Sequence, residues 1–346
     1  MKRPLLESLL TGAELKSVEL RSALASGLEA PLSSRAMRLA ETLARGFGPA
    51  TVALLHYGSH ATSSDARPES AHDFLAIVDD YGSAYRSLAA THGTHYSAFR
   101  ASTLNRFLAP NVIAVADALA TPPLLAKVAV FSLADFQRAS SLDALDHFVL
   151  GRLFQPVGLA WVRDAASRSI VERCVLQARA ASFWWARPYL PNRFDVDTYC
   201  RVVLSTSFGA EIRPEHMDRV AALLDAQRTT ILPMYAALLA WLAREGGVLE
   251  QAKTEAGRVV YADRRPPGGW GRFRSSLYFR RSKLRATLRW VKYIALYENW
   301  LDYVLQKVAR RSGVAIDLSP RERRWPLIFL WPKAIRFLRS RPQRQD

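Results

Sequence analysis

The sequence predicts an α+β fold: a mixed sheet with helices, a mostly helical second domain and a basic, amphipathic helical tail. Three observations predict it. Two short runs rich in β-formers, TVALLHY (51–57) and FLAIVDD (74–80), are each too short and too apolar for a surface helix. Residues 133–245 hold helical periods with few strand signals. The charge is collected at one end: residues 264–346 carry 21 Lys/Arg against 5 Asp/Glu, so +16 of the net +17 lies there.

The elements follow in order. Residues 1–46 read as an N-terminal helical segment, with Leu5, Leu9, Leu15, Val18 and Leu20 roughly at helical spacing until GFGPA (46–50) breaks the pattern. A sheet domain is expected over 47–135, with a helix at 83–91 and further strands at 111–116 and 127–132. A helical second domain, winged-helix-like in outline, is expected over 136–250, punctuated by Pro188, Pro191 and Pro214. Within it Phe183, Trp184 and Trp185 are expected as helix core. The Gly- and Pro-rich stretch 251–273 reads as a linker, and 274–346 as the tail. Its first part is a long helix with Leu277, Leu284, Leu288, Val291, Ala295, Leu301, Val304 and Val308 on one side, expected to pack on the body. A Ser-Pro-Arg-Glu helix start follows Asp317.

Composition narrows the class. With 346 residues, 49% of them hydrophobic, a packed core is expected. Cys174 and Cys200 lack metal-ligand spacing, so buried reduced thiols and no structural zinc are expected. No apolar run approaches the ~20 residues of a membrane span. Glu7, Glu14 and Glu19 interrupt what would otherwise be a signal segment, so the body is expected to be soluble.

The chemistry concentrates between Val52 and Ser97. An apolar strand runs into Gly58-Ser59, and a second apolar strand begins at Asp73. Nucleotidyl transfer needs small residues that let backbone N–H groups approach a triphosphate, and a carboxylate that holds Mg²⁺. Gly58-Ser59 suits the first need and Asp73 the second; an ordinary turn is the alternative. The carboxylate pair common in nucleotidyltransferases is missing, because the triplet is Asp73-Phe74-Leu75. Asp79 lies about 20 Å along the same strand, too far to share a metal. Asp117, after the third strand, is the candidate for a second ligand.

The ordered motifs then resemble one family. YGS (57–59), Asp73 before a strand ending in VDD, HYS (95–97), AKVAVFS (126–132), GRLFQPV (151–157) and SFGAEIR (207–213) are similar, in this order, to motifs of the mitochondrial translocator-assembly-and-maintenance type of phosphatidate cytidylyltransferase. That family also tends to lack the paired carboxylates. The departures are His60, the longer acidic loop after Gly-Ser, and the absence of a Tyr-Gly pair after Lys127. The resemblance implies a nucleotidyltransferase fold and Mg²⁺-dependent synthesis of CDP-diacylglycerol from CTP and phosphatidic acid. It implies Asp73 as metal ligand and Lys127 as a catalytic cation. Tyr57, Gly58, Ser59, His95, Tyr96 and Ser97 would contact nucleotide, and Arg152 and Arg213 would grip phosphates. For each base the alternative is a surface ion pair. Glu211 is expected to orient Arg213 or to complete the metal shell.

The tail points to a lipid surface. WPLIFLWPKAIRFLRSR sets Trp325, Phe329 and Trp331 beside Lys333 and Arg336. Nucleic-acid tails are usually basic and polar, whereas Trp and apolar residues flanked by bases suit an anionic bilayer surface. No nucleic-acid partner is expected. The expected location is peripheral, on the cytoplasmic face of a bacterial inner membrane or the matrix face of a mitochondrial one. Rival readings are a nucleotidyltransferase with another acceptor (protein, small molecule or other lipid phosphate) and an inactive membrane-associated module.

Overall fold

In the computed structural model the described residues are 15–62, 70–93, 97–210, 217–245, 247–253, 257–296 and 318–324. Residues 1–290 form one compact unit and 291–346 a second.

The first unit is built on a five-stranded sheet: β1 (Thr51–Tyr57), β2 (His72–Val78), β3 (Asn111–Asp117), β4 (Leu124–Ser132) and β5 (Gly158–Val162). The order is β3-β4-β2-β1-β5; β2 and β4 are parallel and the other pairs antiparallel. The mixed sheet and its first four strands match the expectation within a few residues. The fifth is a correction. GLAWV lies inside the segment assigned to the helical domain, yet Ala53 to His56 pair with it at the sheet edge. Its five residues give too short a run for alternation to stand out against the helices around it.

Helices cover both faces. After α1 (Leu15–Leu24), one side is covered by α2 (Ser34–Phe47), whose N-cap Ser33 accepts from the Ala36 N–H and whose Leu39, Leu43 and Phe47 are buried. The α2 helix packs on β1, β3, β4 and β5. After β1 comes the short α3 (Ser59–Thr62); α4 (Tyr81–His92) and α5 (Ala98–Phe107) connect β2 to β3. The other face meets the main core. Leu55, Leu75, Ile77, Ala129 and Phe131 pack with α7 (Phe148–Leu153), which follows α6 (Leu133–Ala139), and with α8 (Ala165–Ala186). Beyond it lie α9 (Val196–Gly209) and α10 (Met217–Arg244), which enclose Tyr199, Tyr235 and Leu238. Phe183 and Trp184 are buried there as expected, and both cysteines are buried and free.

The N-terminal segment is not separate. Leu20, Leu24 and Leu28 belong to the same core, and α1 packs on α8 and α10. Arg179 of α8 is fully buried and ties the pieces together. Its guanidinium donates to the carbonyls of Leu24 (2.5 Å), Ser26 (2.8 Å), Leu153 (3.0 Å) and Gln155 (3.0 Å). Burial lowers its pKa to about 10, and the four carbonyls offset the lost hydration.

The expected linker is also corrected. Residues 251–273 contain part of a hairpin, β6 (Leu249–Lys253) with β7 (Val259–Asp263). Tyr261 of β7 exchanges backbone hydrogen bonds with Phe194, and Asp263 is paired with Arg187 at 2.5 Å. The helix after it, α11 (Gly269–Leu296), starts before residue 274, and up to Trp290 it belongs to the first unit. This part packs on the body with its apolar stripe outward: Leu277, Leu284 and Leu288 are exposed. The docked side is aromatic and polar instead. Tyr278 lies on Trp185 with ring centroids 4.3 Å apart, Ser282 accepts from the His147 N–H, and Arg281 donates to the Leu145 carbonyl.

In the second unit, α12 (Pro320–Arg324) begins as its sequence predicts. Ser319 accepts from the Glu322 N–H while Glu322 accepts from the Ser319 N–H, a reciprocal cap. Among the described residues no helix is long and apolar enough to cross a membrane.

Candidate functional site

Strand register brings the expected residues into one row. Tyr57 of β1 stands opposite Asp73 of β2, which stands opposite Lys127 of β4. Residues directly paired across strands project to the same face, about 5 Å apart. The row therefore lies on the face covered by α7 and α8, where β1 ends and β2 begins.

Gly58 closes the row. Its φ of +85° is a conformation that L side chains rarely adopt, and a Cβ there would stand 2.9 Å from Asp73 Oδ2. Glycine is thus required twice, for the turn into α3 and for the approach to the carboxylate. Ser59, the first residue of α3, is exposed.

Arg152 reaches the row from α7. Its guanidinium lies over the Phe148 ring at 3.6 Å and is 5.5 Å from the centre of the Tyr57 ring, with Nη1 donating to the Phe148 carbonyl at 2.6 Å. Burial raises the Asp73 pKa, and the charges of Lys127, Arg152 and His60 oppose that rise. A carboxylate near Arg152 and the exposed Lys127, with a backbone turn against it, has the charge pattern that a phosphate-bearing ligand needs. Mg²⁺ accepts one or two carboxylates together with phosphate oxygens and water, and Asp73 meets that sparse requirement. Among the described residues no three His, Cys, Asp or Glu side chains form a metal-holding group.

Other expected residues stand apart. Asp117 pairs with Leu124, in the alternate register from Lys127, so it points to the opposite face from Asp73. There it accepts from Arg38 Nε at 2.7 Å and caps the Leu119 N–H. It cannot complete a shell around Asp73. Asp79, at the far end of β2, is paired with Arg163. Ser97 accepts from the Arg100 N–H as the N-cap of α5, an element that packs on α4 and β3. His95, Tyr96, Glu211, Arg213 and the tail residues Trp325, Phe329, Trp331, Lys333 and Arg336 lie outside the described residues.

Two further groups lie near the row. On the opposite face, under the Gly58 turn, His56 Nε2 and His72 Nδ1 are 3.1 Å apart, and the His60 ring stacks on His72 at 4.0 Å. Desolvation and mutual repulsion lower His56 to about 4, and burial lowers His72 to about 4. Both are neutral at pH 7. His72 precedes Asp73 on β2 and His56 precedes Tyr57 on β1, and that alternation was the signal that both belong to the other face. The second group is Asp146 with Arg285 and Arg289, which joins α11 to the start of α7. The four-residue spacing of Arg281, Arg285 and Arg289 could have exposed it, because it marks one helix face.

Neither a protein-family model nor a curated protein matches this chain.

Proposed function

We propose that the chain is a CTP:phosphatidate cytidylyltransferase working at a membrane surface. The observation that carries this reading is the row Tyr57–Asp73–Lys127, closed by Gly58 and overlooked by Arg152. Five residues singled out from the sequence, on three strands, a turn and a helix, meet at one place.

In this reading a phosphate oxygen of phosphatidic acid bonds to the α-phosphorus of CTP. The α–β phosphoanhydride breaks, and pyrophosphate leaves with the bonding pair. The acceptor is already an anion at neutral pH, so no general base is needed; catalysis is alignment and neutralisation of charge. Lys127 and Arg152 hold the phosphates, Gly58 lets the chain approach them, and Asp73 would hold Mg²⁺. When bound, Mg²⁺ supplies further charge neutralisation to the triphosphate.

The surface of α11 supports the lipid side of the proposal. Between Gly269 and Trp290 the helix carries seven Arg/Lys and no acid. Trp270, Phe273, Leu277, Leu284 and Leu288 are exposed along it. Bases flanking an uncovered apolar stripe suit the interface of an anionic bilayer, where the helix lies in the plane. The peripheral location expected from the tail thus gains a second element.

One observation favours a rival. Among the described residues Asp73 is the only carboxylate in the row, which suits an inactive module that binds nucleotide without turnover. Incubation with CTP, Mg²⁺ and phosphatidic acid micelles separates the two readings: CDP-diacylglycerol forms only in the first. Replacing phosphatidic acid with other phosphate or hydroxyl acceptors tests whether the acceptor is a different one.

A further inference from the structure

Beside the row, on the same side of the sheet, α6 and α11 flank a small half-open cleft of about 30 Å³. Phe131, Asp135, Arg138, Asp146, Arg285 and Arg289 line it. Cations exceed anions. Arg152 adds a further one, because Arg289 lies over the same Phe148 ring at 5.1 Å that Arg152 covers at 3.6 Å.

The carboxylates are already engaged. Asp135 accepts from Tyr81 Oη (2.7 Å), Ser132 Oγ (3.0 Å) and Arg138. Asp146 accepts from Arg285 Nε (2.7 Å), Arg289 Nη2 (2.5 Å) and the Phe148 N–H (3.1 Å). The arginines are not used up. Arg285 gives Asp146 only its Nε–H, Arg138 gives Asp135 only Nη2, and Arg289 uses Nε and Nη2 on the Ala109 carbonyl and Asp146. Terminal N–H groups of all three therefore remain for an incoming acceptor. Arg289 keeps only 11% of its side-chain exposure, and burial together with Arg285 and Arg152 disfavours its charge. An excess of buried guanidinium is costly unless an anion shares the space.

We infer that this cleft is a phosphate-monoester site in which Arg285 and Arg289 of α11, with Arg138 of α6, grip the phosphate. Three oxygens of a phosphate dianion match the planar donor forks of arginine. Asp146 is a positioning residue that aims Arg285 and Arg289. Assigning the ligand as the acceptor phosphate of a lipid rests on the proposed function; the anion site itself does not. In that assignment α11 presents its apolar face to the bilayer and its arginine face to the headgroup.

Titration calorimetry of the full chain with glycerol 3-phosphate, and separately with inorganic phosphate, tests the inference. Saturable binding of glycerol 3-phosphate is expected, tighter than that of inorganic phosphate. Arg285→Gln and Arg138→Gln should each weaken it by about tenfold or more, the loss of one charge-assisted contact. The exposed Arg280→Gln on the same helix should leave it unchanged. Both replaced arginines are partly exposed, and thermal melts establish that the variants fold. Binding indifferent to both substitutions, or no binding to the folded wild type at millimolar ligand, overturns the site. Arginine-dependent binding in a protein that makes no CDP-diacylglycerol supports the site and defeats the cytidylyltransferase reading.

Discussion

Gly58 and Asp73 approach each other across the β1–β2 ladder so closely that a methyl group on Gly58 would stand 2.9 Å from the Asp73 carboxylate. Gly58→Ala should therefore act twice. A left-handed alanine costs about 1–2 kcal/mol, and the carboxylate must also move from the row. The expected outcome is a modest fall in thermal stability with a far larger fall in nucleotide affinity, read by calorimetry with CTP. Unchanged CTP affinity would remove Gly58 from the site.

Asp73 predicts an unusual trade between stability and activity. Its pKa is raised by burial, so the folded chain binds that proton more tightly than the unfolded chain does. Ionised Asp73 thus costs stability above its folded pKa. Asp73→Asn is expected to melt at a temperature equal to or above that of the wild type while losing transfer.

His56 and His72 add a separate acid effect. Each falls from 6.5 to about 4 on folding, so the unfolded chain binds more protons between those values. Stability is present in full above pH 6.5 and declines as pH drops toward 4. Melting temperatures measured across that window should fall, and His56→Phe should flatten the decline. A flat wild-type profile would contradict the assignment.

Arg179→Met should destabilise the fold by about 3 kcal/mol, since it leaves buried carbonyl acceptors without a donor. Arg179→Lys, with fewer donors and no fork, should fall between the two. Urea denaturation measures both. A cost below about 1 kcal/mol for methionine would mean the carbonyls find other partners.

Replacing Leu277, Leu284 and Leu288 together by glutamate should weaken flotation with anionic liposomes and leave the melting temperature nearly unchanged, because all three are exposed. Unchanged flotation would move the membrane contact away from α11.

The row was legible in the sequence for a physical reason. A glycine after an apolar strand and an aspartate heading the next are local signals, and strand pairing converts them into proximity. Lys127 was expected at the site only from resemblance, and its pairing opposite Asp73 was not foreseen, since register between distant strands leaves no local mark. Asp117 misled because apolar alternation in β3 reveals two faces without saying which one meets Asp73. Strand β5 was hidden by its length. The stripe on α11 was legible as one face, but periodicity does not say which face docks: Tyr278, Ser282, Arg285 and Arg289 make the contacts, and the leucines are exposed. Arg179 gave no signal at all, for its four partners are backbone carbonyls and carry no sequence identity.

The central claim is that the row transfers a cytidylyl group, and product formation tests it most directly. Purified chain incubated with labelled CTP, Mg²⁺ and phosphatidic acid micelles should form CDP-diacylglycerol and pyrophosphate, and folded Asp73→Asn should form neither. No product from the wild type, or equal product from Asp73→Asn, would contradict the account.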